Sequence, residues 1–228
     1  MVSAARLWSH SALYPHHRRM RTHAAATALP DVWHLPFDLA WEALQAGSRP
    51  IGAVLVDADG RIVAMGRNRS QESTGPKGQL AGTAIAHAEI NVLAQLPTGR
   101  RYEDHRLYTT VEPCLLCSGA LIHSHVGAVA YAAPDALWRG IEDIPRVGGL
   151  IAERWARREG PVDGPVSVFA AMLAGLWQVL HDSSSDGPGA SRSLTLAHRL
   201  LGIKGFLDAE TAQVAYRLAL PHLAMPTS

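Results

Sequence analysis

The sequence predicts an α/β layered domain whose mixed sheet carries helices on both faces. Strand-like and helix-like segments alternate along most of the chain, which is the pattern of α/β domains. The first two strands flank the turn at residues 57–60 and form an antiparallel hairpin, whereas the later strands are reached through helices. With 228 residues, 47% of them hydrophobic, the chain is long enough to bury one domain with room for an appendage.

Hydrophobic periodicity and turn residues place the individual elements. The predicted strands are residues 51–56, 61–65, 107–111, 126–132 and 166–169. The predicted helices are residues 35–47, 84–96, 113–124, a charged segment within 135–160, a helix ending at His181, and two amphipathic helices near 193–201 and 208–220.

Composition divides the chain into three parts. Residues 1–34 are basic, with no acidic residue in the first 30, and we expect a disordered N-terminal arm. An organelle transit peptide, or an upstream start that precedes a true start at Met20, would give the same composition. Residues 35–181 form the main domain. Residues 182–228 are predicted to be a Ser/Gly/Pro linker followed by a helical extension.

Charge and cysteine content limit the class of protein. The formal net charge is +1, so no strong overall field favours nucleic acid or a membrane, although a local patch is not excluded. No apolar segment reaches the ~18 residues of a membrane span. The two cysteines form one tight motif rather than a disulfide framework, which favours a reduced, cytoplasmic protein with a metal or redox site.

The segment around the two cysteines predicts a metal site. Cys114 and Cys117 follow a strand and are separated by two residues, at the predicted start of a helix. His87 precedes a second helix and supplies a third ligand. Zinc prefers Cys and His ligands in tetrahedral sites, and three protein ligands leave the position that catalytic sites keep open. A helix N-terminus also lowers a thiol pKa and so favours the thiolate that binds metal.

Glu89 is the candidate catalytic group. It lies two residues after His87, in the first turn of the predicted helix, and a carboxylate there can shuttle a proton between water and substrate. A carboxylate in a first helical turn is also favoured by the helix dipole alone, so Glu89 by itself is weak evidence. Its position beside three possible zinc ligands favours catalysis.

Two other classes of protein remain open at this point. A thiol redox protein would use Cys114 and Cys117 as its reactive pair, without needing His87 or Glu89. A catalytically silent binding protein would use a zinc site only for stability. His123 and His125 lie at the far end of the predicted helix and would face away from its start, so they could complete a closed structural site only if the helix prediction is wrong.

The motif His87-Ala88-Glu89, followed by Pro113-Cys114-Leu115-Leu116-Cys117, resembles the zinc-dependent cytidine deaminase-like superfamily. Further segments match in the same order, and the resemblance covers about residues 36–181. A histidine as the first ligand is typical of the branch that deaminates tRNA adenosine, guanine, cytosine or dCMP. The segments that match the family are residues 52–56, 66–68, 87–91 and 112–120.

The resemblance implies a five-stranded mixed sheet between helices, a homodimer or larger assembly, and hydrolysis of an exocyclic amine on a base with release of ammonia. By position, it implies that Zn²⁺ is bound by His87, Cys114 and Cys117 and that Glu89 shuttles the proton. It also implies substrate contacts for the Asn68 side chain and for the backbone N–H of Ala88.

The substrate remains open between a small molecule and a nucleic acid. Arg67, Arg69 and Lys77 could form a small basic patch near the site, but they could equally be solvated loop charges. Trp138 could stack on a base, or it could simply pack. The low net charge favours a free nucleobase or nucleoside over tRNA adenosine or single-stranded nucleic acid. Residues 82–86 also differ from the Asp-Pro-Thr-Ala that precedes the first ligand in tRNA-adenosine relatives.

Overall fold

The computed structural model describes residues 27–181 and 190–223. The predictions for residues 1–26 and for the linker at 182–189 lie outside these residues. Five strands are present: β1 Gly52–Val56, β2 Ile62–Arg67, β3 Tyr102–Val111, β4 Val126–Ala133 and β5 Arg157–Glu159. The helices are α1 Asp31–Gln45, α2 Ala88–Leu93, α3 Leu115–Ser124, α4 Gly149–Glu153, α5 Pro165–His181, α6 Ala190–Leu201 and α7 Ala212–Leu223. Among the described residues, no helix is both long and apolar enough to cross a membrane.

The five strands form one mixed sheet in the order β2-β1-β3-β4-β5. β1 pairs antiparallel with β2 and with β3, whereas β3, β4 and β5 run parallel. The predicted hairpin and the five-stranded mixed sheet are therefore confirmed. The carboxyl ends of β3 and β4 lie at the same sheet edge, which is where α/β proteins place their ligand sites.

Helices cover both faces of the sheet, as predicted, and each face has its own hydrophobic cluster. On one face α1, α5, α6 and α7 pack together; on the other, α2 and α3 pack against the sheet. All five residues of β1 are buried, which explains its continuous apolar sequence. The largest fully buried side chains include Trp33, Phe37, Phe169, Phe206 and Tyr216 in the first cluster, and Leu55, Leu107 and Leu121 in the second.

Two of the predicted secondary-structure elements do not form. The segment 135–160 is not one helix: it contains 3-10 helices at Ala136–Trp138 and Ile141–Val147, the short helix α4 and the strand β5. β5 is missed because its three residues are all charged and pair with other charges, including Arg106 with Glu159. A three-residue strand of this kind lacks the apolar alternation by which strands are recognised.

The predicted strand at 166–169 is also wrong, because these residues are the first turn of α5. Val166 and Phe169 are both buried and lie three residues apart, which is helical spacing, and Pro165 occupies the first helical position. At the other end of the domain, α1 begins at Asp31 rather than at residue 35. Residues 31–34 therefore belong to the folded domain and not to the predicted arm.

Candidate active site

Two of the predicted metal ligands lie immediately before helices. His87 is the residue that precedes α2, and Cys114 is the residue that precedes α3; both have extended backbone conformations. The predicted starts of these helices, at residues 84 and 113, are therefore too early. α2 packs closely on β2 because Gly66 has no side chain: a Cβ there would lie 3.0 Å from the carbonyl oxygen of Ala88. This approach brings His87 beside α3.

The three ligand atoms converge on one point. His87 Nδ1 lies 3.6 Å from Cys114 Sγ and 3.4 Å from Cys117 Sγ, and the two sulfurs are 3.6 Å apart. Cys114 and Cys117 are buried, and His87 is half-buried. Within the described parts of the chain, no other group of three or more His, Cys, Asp or Glu side chains gathers in this way. His123 and His125, at the end of α3, do not join the site.

The spacing of these atoms fits zinc. Zn–S bonds of about 2.3 Å and Zn–N bonds of about 2.0 Å in a tetrahedron place two sulfurs about 3.8 Å apart and a sulfur and a nitrogen about 3.5 Å apart. The observed separations of 3.4–3.6 Å agree with these values to within about 0.2 Å. The donor set of two thiols and one imidazole is also one that zinc prefers, so the residues present fit a zinc ion.

The environment of Cys114 favours its thiolate. The hydrogen-bonded contact with Cys117 lowers the pKa of Cys114 to about 4. Burial opposes this shift, whereas His87 and the backbone N–H of Cys117 add to it. The pKa of Cys117 is raised by its hydrogen-bonded contact with Cys114 and by burial of the thiol. The hydrogen bond with Cys114 also raises the pKa of His87, while burial opposes this shift. Metal binding therefore has to displace protons from this cluster.

Glu89 is the buried carboxylate beside the ligands. Its side chain is 3% exposed, and Oε2 accepts a weak hydrogen bond of 3.4 Å from Cys117 Sγ. The hydroxyl of Thr109 donates to Oε1 at 2.6 Å. Burial raises the pKa of Glu89, whereas the bond from Thr109 lowers it. Among the described residues, no Arg or Lys forms an ion pair with Glu89, and a buried carboxylate of this kind suits proton transfer better than a structural ion pair.

Thr109 is a residue of this site that the sequence analysis missed. It is fully buried in β3, between Leu107 and Val111 in the alternation of the strand, on the face that packs against α2. Its neighbour Thr110 is also fully buried, but its Oγ1 accepts a hydrogen bond from the backbone N–H of Gly52 instead. A polar side chain at an inward position of a buried strand is the signal that identifies Thr109.

The structure places the three predicted substrate residues at one edge of the sheet. Asn68 follows β2; it is buried, and its Oδ1 accepts hydrogen bonds from the backbone and hydroxyl of Ser70. Ala88 is the first residue of α2, where a backbone N–H has no acceptor within the helix. Trp138 lies in the 3-10 helix after β4 and is 40% exposed.

Arg67 and Arg69 form neither a basic patch nor a pair of solvated loop charges. Arg67 bonds Glu72 at 2.9 Å, and Arg69 bonds the same carboxylate at 2.7 Å. The side chains of Arg67, Arg69 and Glu72 are all largely buried, and their ion pairs stabilise the loop after β2. Of the three residues proposed for the patch, only Lys77 is exposed. The patch is therefore a structural ion-pair network rather than a free cationic surface.

Two charged residues near the metal ligands were also missed. Arg49 lies before β1, and Asp135 lies after β4. Asp135 donates its backbone N–H to Glu112 Oε2 at 3.3 Å, two residues before Cys114. Burial raises the pKa of Asp135, and Arg49 opposes that shift. No sequence motif marks these residues, because their relation to the site depends on the register of three strands.

Comparison with known proteins identifies the domain. Residues 27–133 match the zinc-binding region of cytidine and deoxycytidylate deaminases. The chain is 37% identical over 101 residues to a tRNA-specific adenosine deaminase of Haemophilus influenzae, an alignment that covers 43% of this chain and 54% of that protein.

Two solved structures are similar in sequence to part of this chain. A structure from studies of A-to-I editing by tRNA:A34 deaminases is 34% identical and covers 47% of this chain and 78% of the other, with a TM-score of 0.40. A guanine deaminase of Bacillus subtilis is 35% identical and covers 46% and 66%, with a TM-score of 0.38.

The chain therefore belongs to the cytidine deaminase-like superfamily of zinc-binding deaminases, as the sequence motif indicated. It spans less than two thirds of the length of the curated relatives that it matches, from 26% to 64% for the first eight.

Proposed function

We propose that the protein is a zinc-dependent hydrolase that replaces the exocyclic amine of a nucleobase or nucleoside with a carbonyl oxygen and releases ammonia. One observation carries this proposal: the three ligand atoms of His87, Cys114 and Cys117 converge beside the buried carboxylate of Glu89. The match to the zinc-binding region of deaminases supports it.

His87, Cys114 and Cys117 are the residues that hold the metal in this proposal. Zinc in such a site supplies Lewis-acid activation of water for hydrolysis. Cys114 is preorganised as a thiolate, because Cys117, His87 and the start of α3 all stabilise its negative charge. The buried position of both sulfurs keeps competing solvent away from the ligands.

Glu89 moves the proton. Its carboxylate accepts a proton from the attacking water and donates it to the exocyclic nitrogen, so that one water is consumed and one ammonia leaves. Thr109 holds Oε1 from one side, which leaves Oε2 towards the ligand cluster. The N–H of Ala88 and the side chain of Asn68 are the proposed contacts to the base, with Trp138 as a stacking surface at the rim.

The substitution Glu89→Gln tests this function in the zinc-loaded protein. We expect turnover to fall by at least ~10²-fold while one zinc per chain is retained, because the amide has the size of the carboxylate but cannot accept the proton. Ammonia release is measured with guanine, adenine, cytosine, their nucleosides and dCMP, and with a tRNA anticodon stem-loop and single-stranded DNA. Full activity of this variant would refute the mechanism.

The same measurement separates the alternative functions. A silent zinc-stabilised binding protein would contain zinc and release no ammonia from any substrate. A thiol redox protein would be active without zinc, and the approach of His87 Nδ1 to both sulfurs argues against it. Turnover only of the stem-loop would assign a tRNA adenosine deaminase, the activity named for the Haemophilus relative. Turnover of a free base or nucleoside would assign a small-molecule enzyme.

We further propose a cytoplasmic homodimer. The two free cysteines and their role as ligands suit a reducing compartment.

Apolar side chains are exposed around α3 and α4, and Leu115, Val147 and Leu150 are about half exposed or more. Exposed apolar groups that cluster in this way favour an interface. Sedimentation equilibrium checks the assembly: we expect a dimer for the native chain and a monomer for Leu115→Glu, with Leu201→Glu on α6 as the control.

A further inference from the structure

We propose that Arg49 forms an anion subsite beside the candidate metal centre, and that the preferred substrate carries a phosphate group, either as a mononucleotide or as part of an RNA chain. This inference rests on the proposed function, and it assigns the substrate class that the comparisons leave open. It also departs from the expectation, drawn from the low net charge, that the substrate is a free base or nucleoside.

The register of the sheet places Arg49 at the edge that carries the site. In the antiparallel pair of β1 and β3, Ala53 lies opposite Thr109, so residues before β1 are level with residues after β3. In the parallel pair of β3 and β4, Val111 lies opposite Ala133. Arg49 therefore shares one edge of the sheet with the loop that carries Cys114 and with the loop that begins at Asp135.

The guanidinium of Arg49 is held in place by an aromatic support. Its Cζ lies 4.4 Å from the centroid of the Trp177 ring, which is a cation–π distance. The indole N–H of Trp177 donates to the carbonyl of Gly47 at 2.8 Å, so the ring is tied to the loop that carries Arg49. His181 stacks on Trp177 with a ring separation of 4.5 Å. The cation is thus preorganised, which favours ligand binding.

Arg49 differs from Arg67, Arg69 and Arg158 in having no anionic partner among the described residues. Arg67, Arg69 and Arg158 each bond a carboxylate within 4.0 Å. No carboxylate among residues 27–181 or the described residues of 190–223 lies within 4.0 Å of the Arg49 guanidinium. Burial lowers the pKa of Arg49, and the charge of Asp135 only partly opposes this shift. Arg49 is therefore a half-buried cation without a direct counter-ion.

Arg49 and the metal ligand Cys114 lie at the same ends of neighbouring antiparallel strands. Arg49 is three residues before β1, and Cys114 is three residues after β3. A guanidinium at such a place binds phosphate with two parallel hydrogen bonds. For an enzyme that acts on nucleobases, phosphate is the anion that accompanies the base in its nucleotide and polynucleotide forms. The position thus suits selection for a phosphorylated substrate.

The test compares Arg49→Gln with Arg61→Gln in the zinc-loaded full chain. Arg61 lies at the opposite end of β1, in the exposed turn before β2, and so controls for the loss of one positive charge. Calorimetry in the Glu89→Gln background measures binding of nucleosides, their 5′-monophosphates and an RNA stem-loop. We expect Arg49→Gln to weaken the phosphorylated ligands about tenfold and to change the nucleosides less than about twofold. Arg61→Gln should change neither.

The outcomes separate this inference from the proposed function. Equal effects of Arg49→Gln on nucleosides and phosphorylated ligands, or no effect on either, would overturn the subsite even if the protein deaminates. Loss of phosphate selectivity in a protein that releases no ammonia would retain the subsite and reject the function. If Arg49→Gln weakened binding of the stem-loop alone, RNA would be the source of the phosphate. The slope of log binding constant against log salt concentration should then fall in magnitude by about one. A loss confined to the monophosphates would identify a mononucleotide.

Discussion

His87 and Cys114 are 27 residues apart in sequence, yet both lie at the residue before a helix, and both helices start at the same region of the sheet. An extended residue before a helix directs its side chain towards the helix start, where the backbone N–H groups are unpaired. This placement stabilises the thiolate of Cys114 and brings it within reach of His87. It also sets Cys117, one turn into α3, against the same point.

Substitution of the ligands tests the metal site directly. We expect His87→Ala and Cys114→Ala each to lose zinc and activity together, because two protein ligands do not hold zinc tightly against competing solvent. Zinc per chain, measured by plasma mass spectrometry after dialysis, checks this. His123→Ala, an exposed histidine at the far end of α3, is the control and should keep full occupancy. A variant of either ligand that retains one zinc per chain would contradict the assignment.

Thr109 tests whether the position of Glu89 matters in addition to its charge. Thr109→Val keeps the shape of the side chain but removes the donor that holds Oε1, and we expect kcat to fall about tenfold with KM changed less than about twofold. Thr109→Ser should restore most of kcat. Steady-state kinetics on whichever member of the substrate panel the protein deaminates provides the measurement.

Thr110→Val is the matched control, since Thr110 is equally buried but its hydroxyl contacts the backbone of β1. We expect a small loss of stability from it and little change in kcat. If Thr110→Val lowered kcat as much as Thr109→Val, the effect of Thr109 would be one of strand packing and not of the bond to Glu89.

At the scale of elements, hydrogen bonds from β5 hold the start of α3 in place. Arg158 of β5 bonds Glu112 Oε1 at 2.9 Å and the carbonyl of Pro113 and the hydroxyl of Ser118, both at 3.2 Å. Arg158 and Glu112 are each about 90% buried at the side chain. A strand of only three residues thus holds the segment that carries both cysteines. One side chain of β5 bonds both the loop after β3 and α3.

Removal of this arginine should loosen the metal site. We expect Arg158→Met to lower the free energy of unfolding by about 2 kcal/mol, because it leaves the carboxylate of Glu112 largely buried without its partner. Zinc affinity should fall as well, because the start of α3 loses the hydrogen bonds from Arg158 to Pro113 and Ser118. Arg157→Met is the control on the same strand, where the side chain is 66% exposed. Urea unfolding and competition with a zinc-binding dye measure the two effects; equal behaviour of both variants would refute the role of Arg158.

At the scale of the whole molecule, the C-terminal helices are part of the core of the main domain. α6 and α7 share one hydrophobic cluster with α1 and α5. Trp41 of α1 donates its indole N–H to the carbonyl of Ala209 at 2.8 Å, and Asp38 accepts from the backbone N–H of Ala212 at the start of α7. These helices lie on the face of the sheet opposite α2 and α3, so their contribution to the site is structural support.

A pair of adjacent residues tests this integration. Phe206 is fully buried against Trp41, whereas Leu207 is 43% exposed. We expect Phe206→Ala to lower the free energy of unfolding by about 3 kcal/mol, as for other buried aromatic residues, and Leu207→Ala to change it by less than about 1 kcal/mol. Chemical denaturation followed by tryptophan fluorescence measures both. Equal small losses would show that the extension folds separately from residues 35–181.

The sequence by itself indicated the metal site and its candidate catalytic group. The residue types of His87, Glu89, Cys114 and Cys117, their order and the helix and strand patterns between them were sufficient to predict a zinc site with an acid–base carboxylate, and the alternation of elements predicted a mixed sheet between helices. These features are local: a ligand type, a helix start and a turn are encoded within a few consecutive residues.

Only the tertiary structure decided the surroundings of that chemistry. The bond from Thr109 to Glu89, the pairing of Arg67 and Arg69 with Glu72, and the position of Arg49 depend on strand register and on contacts between segments far apart in sequence. The sequence pattern did not predict β5, because its charged side chains are stabilised by partners on other elements. The physical reason is the same in each case: a side chain's charge and burial are set by its neighbours in space, which residue type and periodicity do not specify.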